Sequence, residues 1–239
     1  MLGVPDNFQQ NIELNLENTF LKAARSRAER SWLKKKILAV TLCDQIMGEA
    51  IPSRLDDEYN CQVILTILVR VNDMKESTAL AELLQALTKP LCVFLLTDGA
   101  VERYSFALKR LSKTEAEAVV AEDMHITPEL PLIVPGVERE EWRVAANFSC
   151  ILNRTDKLAA YREWSTRAFI ADQKHLFAGT RALLESRGWY GAGFATQVFH
   201  AYQRLEQLTR EGGKARLLKE KTLNNQEMRV ILDQLETLK

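Results

Sequence analysis

The sequence predicts an α+β fold: a small mixed sheet with flanking helices, followed by a helical C-terminal region with a short coiled-coil-like last helix. Three observations carry that expectation. Two apolar, β-rich runs, QVILTILVRV and LCVFLLT, enclose the amphipathic stretch ESTALAELLQALTK, the pattern of a strand–helix–strand unit. After Thr155 no strand pattern recurs, while apolar residues keep a spacing of three or four. Near the end, Leu217, Asn224, Ile231 and Leu238 lie seven apart, with Lys221, Met228 and Leu235 between them, which is a heptad frame with one Asn in its seam.

Taken in order, the chain divides at 1–17, 18–153 and 154–239. Residues 1–17 are polar, with Pro5 and several Asn and Gln, and are expected to be poorly ordered. NTFLKAARSRAERSWLKKKI reads as a first helix with Phe20, Ala24, Ala28 and Trp32 on one face. ILAVTLCDQIMGEAIP is expected to continue as helix until Pro52 and the polar residues behind it close it off. The unit from Cys61 to Thr97 has the length of a crossover joining two parallel strands. Asp98-Gly99 between apolar runs predicts a hairpin with a two-residue type I′ turn. AVVAEDMHI is a further strand, and Pro128, Pro131 and Pro135 bar a central strand behind it. EREEWRVAANFSCIL then reads as a short helix. A long helical pattern follows over 155–188, weak at Gly179 and capped at Gly188. GWYGAG is a loop. The next helix has the stripe Val198, Tyr202, Leu205 and Leu208, is stopped by Gly212-Gly213, and the last helix starts near Lys214.

Composition bounds the function. Lys+Arg and Asp+Glu number 32 each, so the whole molecule is no general polyanion binder. The charge is uneven, however: residues 151–239 hold 15 basic against 10 acidic residues, and 1–150 hold 17 against 22. That asymmetry suggests different partners for the two parts. MLGVPDNFQQ lacks the basic start and apolar core of a leader, and no uncharged run reaches the ~18–20 residues of a membrane span. A cytoplasmic protein with no membrane contact is expected. Cys43, Cys61, Cys92 and Cys150 are scattered without a CxxC pair, so free thiols are expected.

Reactive constellations are sparse. There is no GxSxG, no GxxxxGK[ST] and no GxGxxG. His125, His175 and His200 are far apart, with no clustered Cys, so neither a metal nor a cofactor is expected. An enzyme reading would be a metal-dependent nuclease using Asp98, Glu102 and Lys109. Position 107 is Ala, however, where a second carboxylate would have to stand two residues before the lysine. The 189–194 segment, with Trp189 and Tyr190, suits either a nucleotide or small-molecule sensor that stacks a base or the closed end of a helical core.

Two features suit contact with macromolecules. The first helix carries Lys22, Arg25, Arg27, Arg30, Lys34, Lys35 and Lys36 against Glu29. Clustered cations of this kind displace counterions from phosphates, although the same residues also make an ordinary solvated face. A weaker basic group is Arg210, Lys214, Arg216, Lys219 and Lys221. The last helix offers Met228, Ile231, Leu235 and Leu238 either to a protein partner or second copy, or to its own preceding helix as an antiparallel hairpin.

The order helix, QVILTILVRV, helix, KPLCVFLLTDGAVERYSFALKR, EDMHITPELPL, together with the terminal KEKTLNNQEMRVILDQLETLK, resembles the bacterial and archaeal family called domain of unknown function 4391. The resemblance runs from about Phe20 to Lys239. Members of that family often carry a Glu in the strand matching QVILTILVRV, where this chain has no acid. The resemblance implies no established activity. It does imply a setting beside helicase and DNA-modification genes in mobile defence regions. The expected role is a non-enzymatic adaptor or structural subunit of a DNA-handling complex, with the first helix on DNA and the last on a protein.

Overall fold

The computed structural model describes residues 2–114, 118–132, 136–214 and 217–239, leaving the Glu138 side chain aside. The expectations that touch Pro135 and Arg216 lie outside these residues. The α+β architecture is as the sequence predicts: a seven-stranded mixed sheet with flanking helices, then a helical C-terminal region.

Within residues 1–17, expected to be poorly ordered, lie a short turn over Asp6–Phe8 and strand β1 (Gln9–Leu14). Leu2 and Val4 are buried, and β1 pairs antiparallel with β2 (Ile37–Ile46). A short π-turn over Glu17–Leu21 buries Phe20 and Leu21. Helix α1 (Arg27–Lys36) starts only after it. Ser26 caps α1 by accepting from the Glu29 N–H at 3.0 Å, and the Glu29 carboxylate accepts from the Arg25 N–H at 2.8 Å. This reciprocal arrangement satisfies donors that a helix start leaves bare. At Ile37 the backbone turns extended, and the segment expected to continue as helix is β2.

A two-stranded hairpin, β3 (Arg54–Leu55) and β4 (Asn60–Cys61), leads to β5 (Ile64–Val71). Helix α2 (Ser77–Leu87) crosses over to β6 (Leu91–Thr97), which lies parallel to β5 as expected. Strand β7 (Val101–Leu111) returns antiparallel to β6. The hairpin is the one signalled by Asp98-Gly99, but its turn is longer than two residues, because the ladder resumes only at Thr97 opposite Glu102. The Asp98 carboxylate accepts from the N–H groups of Ala100 and Val101, and Gly99 takes φ +93°. Asp98 is therefore a turn residue. Strand β8 (Val119–Ile126) and the two-residue β9 (Leu130–Pro131) pair with the outer side of β7. The outermost strands, β1 and β8, each hold a non-glycine residue at positive φ, Asn11 and Asp123. Such irregular edges resist pairing with another chain.

Helices α3 (Val137–Ala145), α4 (Lys157–Asp172), α5 (Thr180–Glu185), α6 (Phe194–Lys214) and α7 (Leu218–Leu238) complete the chain. One sheet face packs under α1 and α2, with Phe94, Leu96, Ile67 and Val69 against Leu33, Leu80 and Leu84. The other packs under α3 and α4, with Tyr104, Phe106 and Val93 against Trp142, Tyr161 and Trp164. Helix α4 also feeds Phe169 and Ile170 into a third cluster, shared with α6 and α7. The 153/154 boundary read from the sequence thus runs through a shared core, since α4 belongs to both halves. Helix α6 passes through Gly212 and Gly213 to Lys214. Open space surrounds both glycines, and a glycine costs a helix only about 1 kcal/mol, so they weaken the last turn without ending it.

A local feature joins the halves. Beyond the Phe94–Ser105 pair, β6 and β7 part. The Tyr161 hydroxyl enters the gap from one face, accepting from Ala107 N–H at 3.1 Å and donating to the Cys92 carbonyl at 2.6 Å. Gln85 enters from the other, its amide donating to the Cys92 and Ser105 carbonyls, each at 3.1 Å. Two side chains stand in for missing ladder bonds, as buried backbone groups require.

Candidate nucleic-acid interface

Helix α1 lies on the sheet through Leu33 and the partly buried Trp32. At 3.6 residues per turn, Arg30, Lys34, Arg27, Ser31 and Lys35 then fall in sequence around an arc of about 140° on its opposite side. All five are exposed. Lys34 pairs with Glu17 at 3.3 Å. Arg27, Arg30 and Lys35, with the exposed Lys22 and Arg25 just ahead of α1, have no acidic side-chain partner among the described residues. The three lysines of the last turn also suit the negative end of the helix dipole.

Lys36 does not belong to this surface. It is 8% exposed, and its ammonium lies 3.2 Å from Asp73 and 3.1 Å from Glu76. Glu76 foremost, with Asp73, holds its pKa above the usual lysine value despite burial. Its work is to tie α1 to the β5–α2 loop, where Glu76 takes φ +61°. Six of the seven predicted cations therefore stay on the surface.

The residues of the nuclease reading are not brought together. Asp98 is engaged in its turn. Glu102 is buried against Arg139 of α3, its Oε1 accepting from two guanidinium nitrogens at 2.8 and 2.9 Å. Lys109 stands seven residues farther along β7, ~23 Å at 3.3 Å per residue. Its side chain projects to the opposite sheet face, donating to the Gln85 carbonyl at the end of α2. Burial pushes the Lys109 amine down to about 8. Among the described residues no three His, Cys, Asp or Glu side chains could hold a metal ion.

Other expectations are placed as follows. His125 bonds Asp172 at 2.6 Å in a buried pair linking β8 to the end of α4, and burial raises the Asp172 carboxyl above its ordinary range. The four thiols are free, and burial pushes Cys61 up to about 12 and Cys92 to about 11. Trp189 is 1% exposed, donates to the Leu183 carbonyl and lies under the Arg167 guanidinium at 4.6 Å. It closes a helical core and offers no stacking face, so the sensor reading of the 189–194 segment loses its central residue. Ile231 and Leu235 are buried in the cluster of α6, and Met228 and Leu238 pack on it. These four therefore serve the hairpin with α6, fastened by Arg204 to Glu227 at 2.6 Å, and Ile231 and Leu235 are closed to a partner. The exposed apolar residues of the last segment are instead Leu217, Leu218, Leu223 and Val230.

Sequence reasoning missed Asp44 and Thr66. They face each other across β2 and β5, both buried, and Asp44 Oδ2 and the Thr66 hydroxyl lack partners among the described residues. Burial raises the Asp44 carboxyl above the ordinary aspartate range. No run of residues signals the pair, because its members meet only through strand register. Two shallow concavities at the nearby sheet end, about 690 and 620 Å³, share Gln62 and Val63. Glu49 lines one and Lys89 the other.

These features define an α+β protein with a cationic arc on one surface helix. A family model, domain of unknown function (DUF4391), matches residues 2–235, and the chain belongs to that family. No curated protein and no solved structure matches it. Among the described residues no helix is long and apolar enough to cross a membrane.

Proposed function

We propose that the protein is a non-enzymatic adaptor in a DNA-handling complex of the cytoplasm, of the kind the family resemblance associates with mobile-element defence. Helix α1 holds nucleic acid through phosphate. The α6–α7 hairpin carries the protein contact on its distal part, at Leu217, Leu218 and Leu223. One observation carries the reading: the outward arc of α1 is cationic from Arg30 round to Lys35, and three of its four cations have no acid to neutralise them. Phosphate binding needs that excess of unpaired charge, and a solvated face of i,i+4 ion pairs does not supply it.

The test is fluorescence anisotropy with labelled oligonucleotides and full-length protein, comparing the native chain with Arg27→Glu/Arg30→Glu/Lys35→Glu. The expected result is micromolar or tighter binding at low salt, lost in the triple variant with its circular dichroism unchanged. Absence of binding to any oligonucleotide, or equal binding by the variant, refutes the reading.

A further inference from the structure

We infer that the surface on α1 is fitted to duplex DNA, gripping the phosphates on either side of the major groove without regard to sequence. This rests on the proposal that α1 binds nucleic acid, and it names the form.

The first argument is shape. Helix α1 is a convex rod of ten residues, and a helix with its side chains is about 10–12 Å across. The major groove of B-form DNA is about 12 Å wide. Arg30 and Lys35 stand at the two flanks of the cationic arc, with Arg27 and Lys34 between them. A helix seated in the groove therefore presents a cation to each bordering strand. From Arg27 to Lys35 the rise is about 12 Å at 1.5 Å per residue, which places the charges along the groove as well as across it.

The second argument is what the arc lacks. Single strands are held by aromatic side chains that stack on bases beside a positive groove. The one aromatic residue of α1, Trp32, is turned toward the core and partly buried against it. Among the described residues the exposed large aromatic is Tyr190, which follows α5 and belongs to the helical half. The arc carries no Asn or Gln to read adenine, its one uncharged member is Ser31, and its Arg and Lys, which could reach guanine edges, go to the bordering phosphates. Duplex RNA is disfavoured by geometry, because its major groove is too narrow and deep for side chains to read.

The experiment uses the full chain and one labelled 20-mer in four forms: duplex DNA, each separate DNA strand, and duplex RNA of the same sequence. Anisotropy is measured over a series of KCl concentrations, and repeated with a shuffled duplex. Duplex DNA is expected to bind at least ten-fold tighter than either strand or the RNA, and the shuffled duplex to bind equally. The log–log salt slope should be about −4, from four phosphate contacts at about −0.9 each. Arg30→Gln and Lys35→Gln, both at exposed positions, should each flatten the slope by about one. Single strands binding as tightly as the duplex, or duplex RNA binding as tightly as duplex DNA, overturns this inference while leaving the phosphate-binding role of α1 intact. A strong preference for one duplex sequence overturns the sequence-blind grip. Failure to bind all four forms overturns both.

Discussion

Replacing Tyr161 by Phe removes a single oxygen from the wedge between β6 and β7, and its cost follows from the geometry. Tyr161 is fully buried, and its ring packs on Phe106 with centroids 6.3 Å apart, so the phenyl group of the variant keeps its packing. The hydroxyl bond to the Cys92 carbonyl is lost, but Gln85 still donates to that oxygen at 3.1 Å. That loss costs about 1 kcal/mol. The Ala107 N–H has the Tyr161 oxygen as its acceptor, and a buried donor left bare costs about 1–3 kcal/mol. The sum is a destabilisation of about 2–4 kcal/mol, a large part of the ~5–15 kcal/mol that holds a domain folded. For a chain of this size it should lower the melting temperature by roughly 4–16 °C. The assay is equilibrium urea unfolding followed by far-ultraviolet circular dichroism and by tryptophan fluorescence. Trp142 and Trp164 are buried between the sheet and α3–α4, Trp189 lies in the α6 cluster and Trp32 packs on the α1–α2 face, while the dichroism senses all helices and strands. Because Tyr161 ties α4 to the sheet, both probes should shift together. A loss under ~0.5 kcal/mol would show that the strands can close their own ladder, and that the tyrosine does not hold the gap.

Two further predictions test neighbouring parts of the argument. Asp44→Asn should stabilise the protein at neutral pH by about 1–3 kcal/mol, by removing a buried negative charge while its amide can donate to the Thr66 hydroxyl oxygen across the strands. The folded-state pKa of Asp44 lies above its ordinary value, so the native carboxyl favours folding at acid pH, and that contribution is lost as pH rises through the folded pKa. The advantage of the variant in urea unfolding should therefore grow from acid to neutral pH, and a variant less stable at pH 7 contradicts the orphaned-carboxylate account. Leu235→Ala should cost about 2–5 kcal/mol, as cavities in packed cores do, while Leu218→Ala, at an 80% exposed position, should stay within about 0.5 kcal/mol. Equal thermal shifts in the two variants would show that α7 does not pack on α6 in solution.

Much of the fold is legible because its signals are local. The crossover from β5 through α2 to β6 announces itself by composition, and Asp98-Gly99 marks the hairpin. Strand β2 was hidden by its own irregularity. Bulges between Ile37 and Ala39 and between Leu42 and Asp44 shift its register. Its buried residues then fall at 37, 40, 43, 44 and 46, a spacing near three that imitates a helix. Strand β1 was hidden by its place at the edge, where five of six residues face solvent and polar side chains carry no penalty. The candidate surface was legible as a run of cations, but Lys36 was not separable from Lys34 and Lys35. Its acids, Asp73 and Glu76, lie 37 and 40 residues downstream, and only the pairing of β2 with β5 brings them near. In the same way the heptad of α7 states that a face will be covered. It does not state whether the cover comes from the same chain.

How the remaining charges are spent supports a binding role. Asp44 aside, the interior charges Lys157, Glu163, Arg167 and Lys109 are tied to backbone or to one another. Lys157 donates to the carbonyls of Gly48 and Ile51, pinning the loop after β2. Glu163 accepts from the N–H groups of Leu152 and Asn153, and from Arg167, which in turn holds the Leu184 carbonyl. Lys109 donates to the last turn of α2. Each of these groups closes a gap in the hydrogen bonding of a loop or helix end, as buried charges must if their desolvation is to be offset. A group so engaged is a poor acid, base or nucleophile, because releasing its partner would orphan a backbone atom. Arg27, Arg30 and Lys35 of α1 are under no such constraint. They cost little to keep in water, they hold no backbone in place, and their charge is uncompensated over a face one helix wide. Substitution there should change what the protein touches and leave its stability alone, the reverse of substitution at Lys157, Glu163 or Lys109.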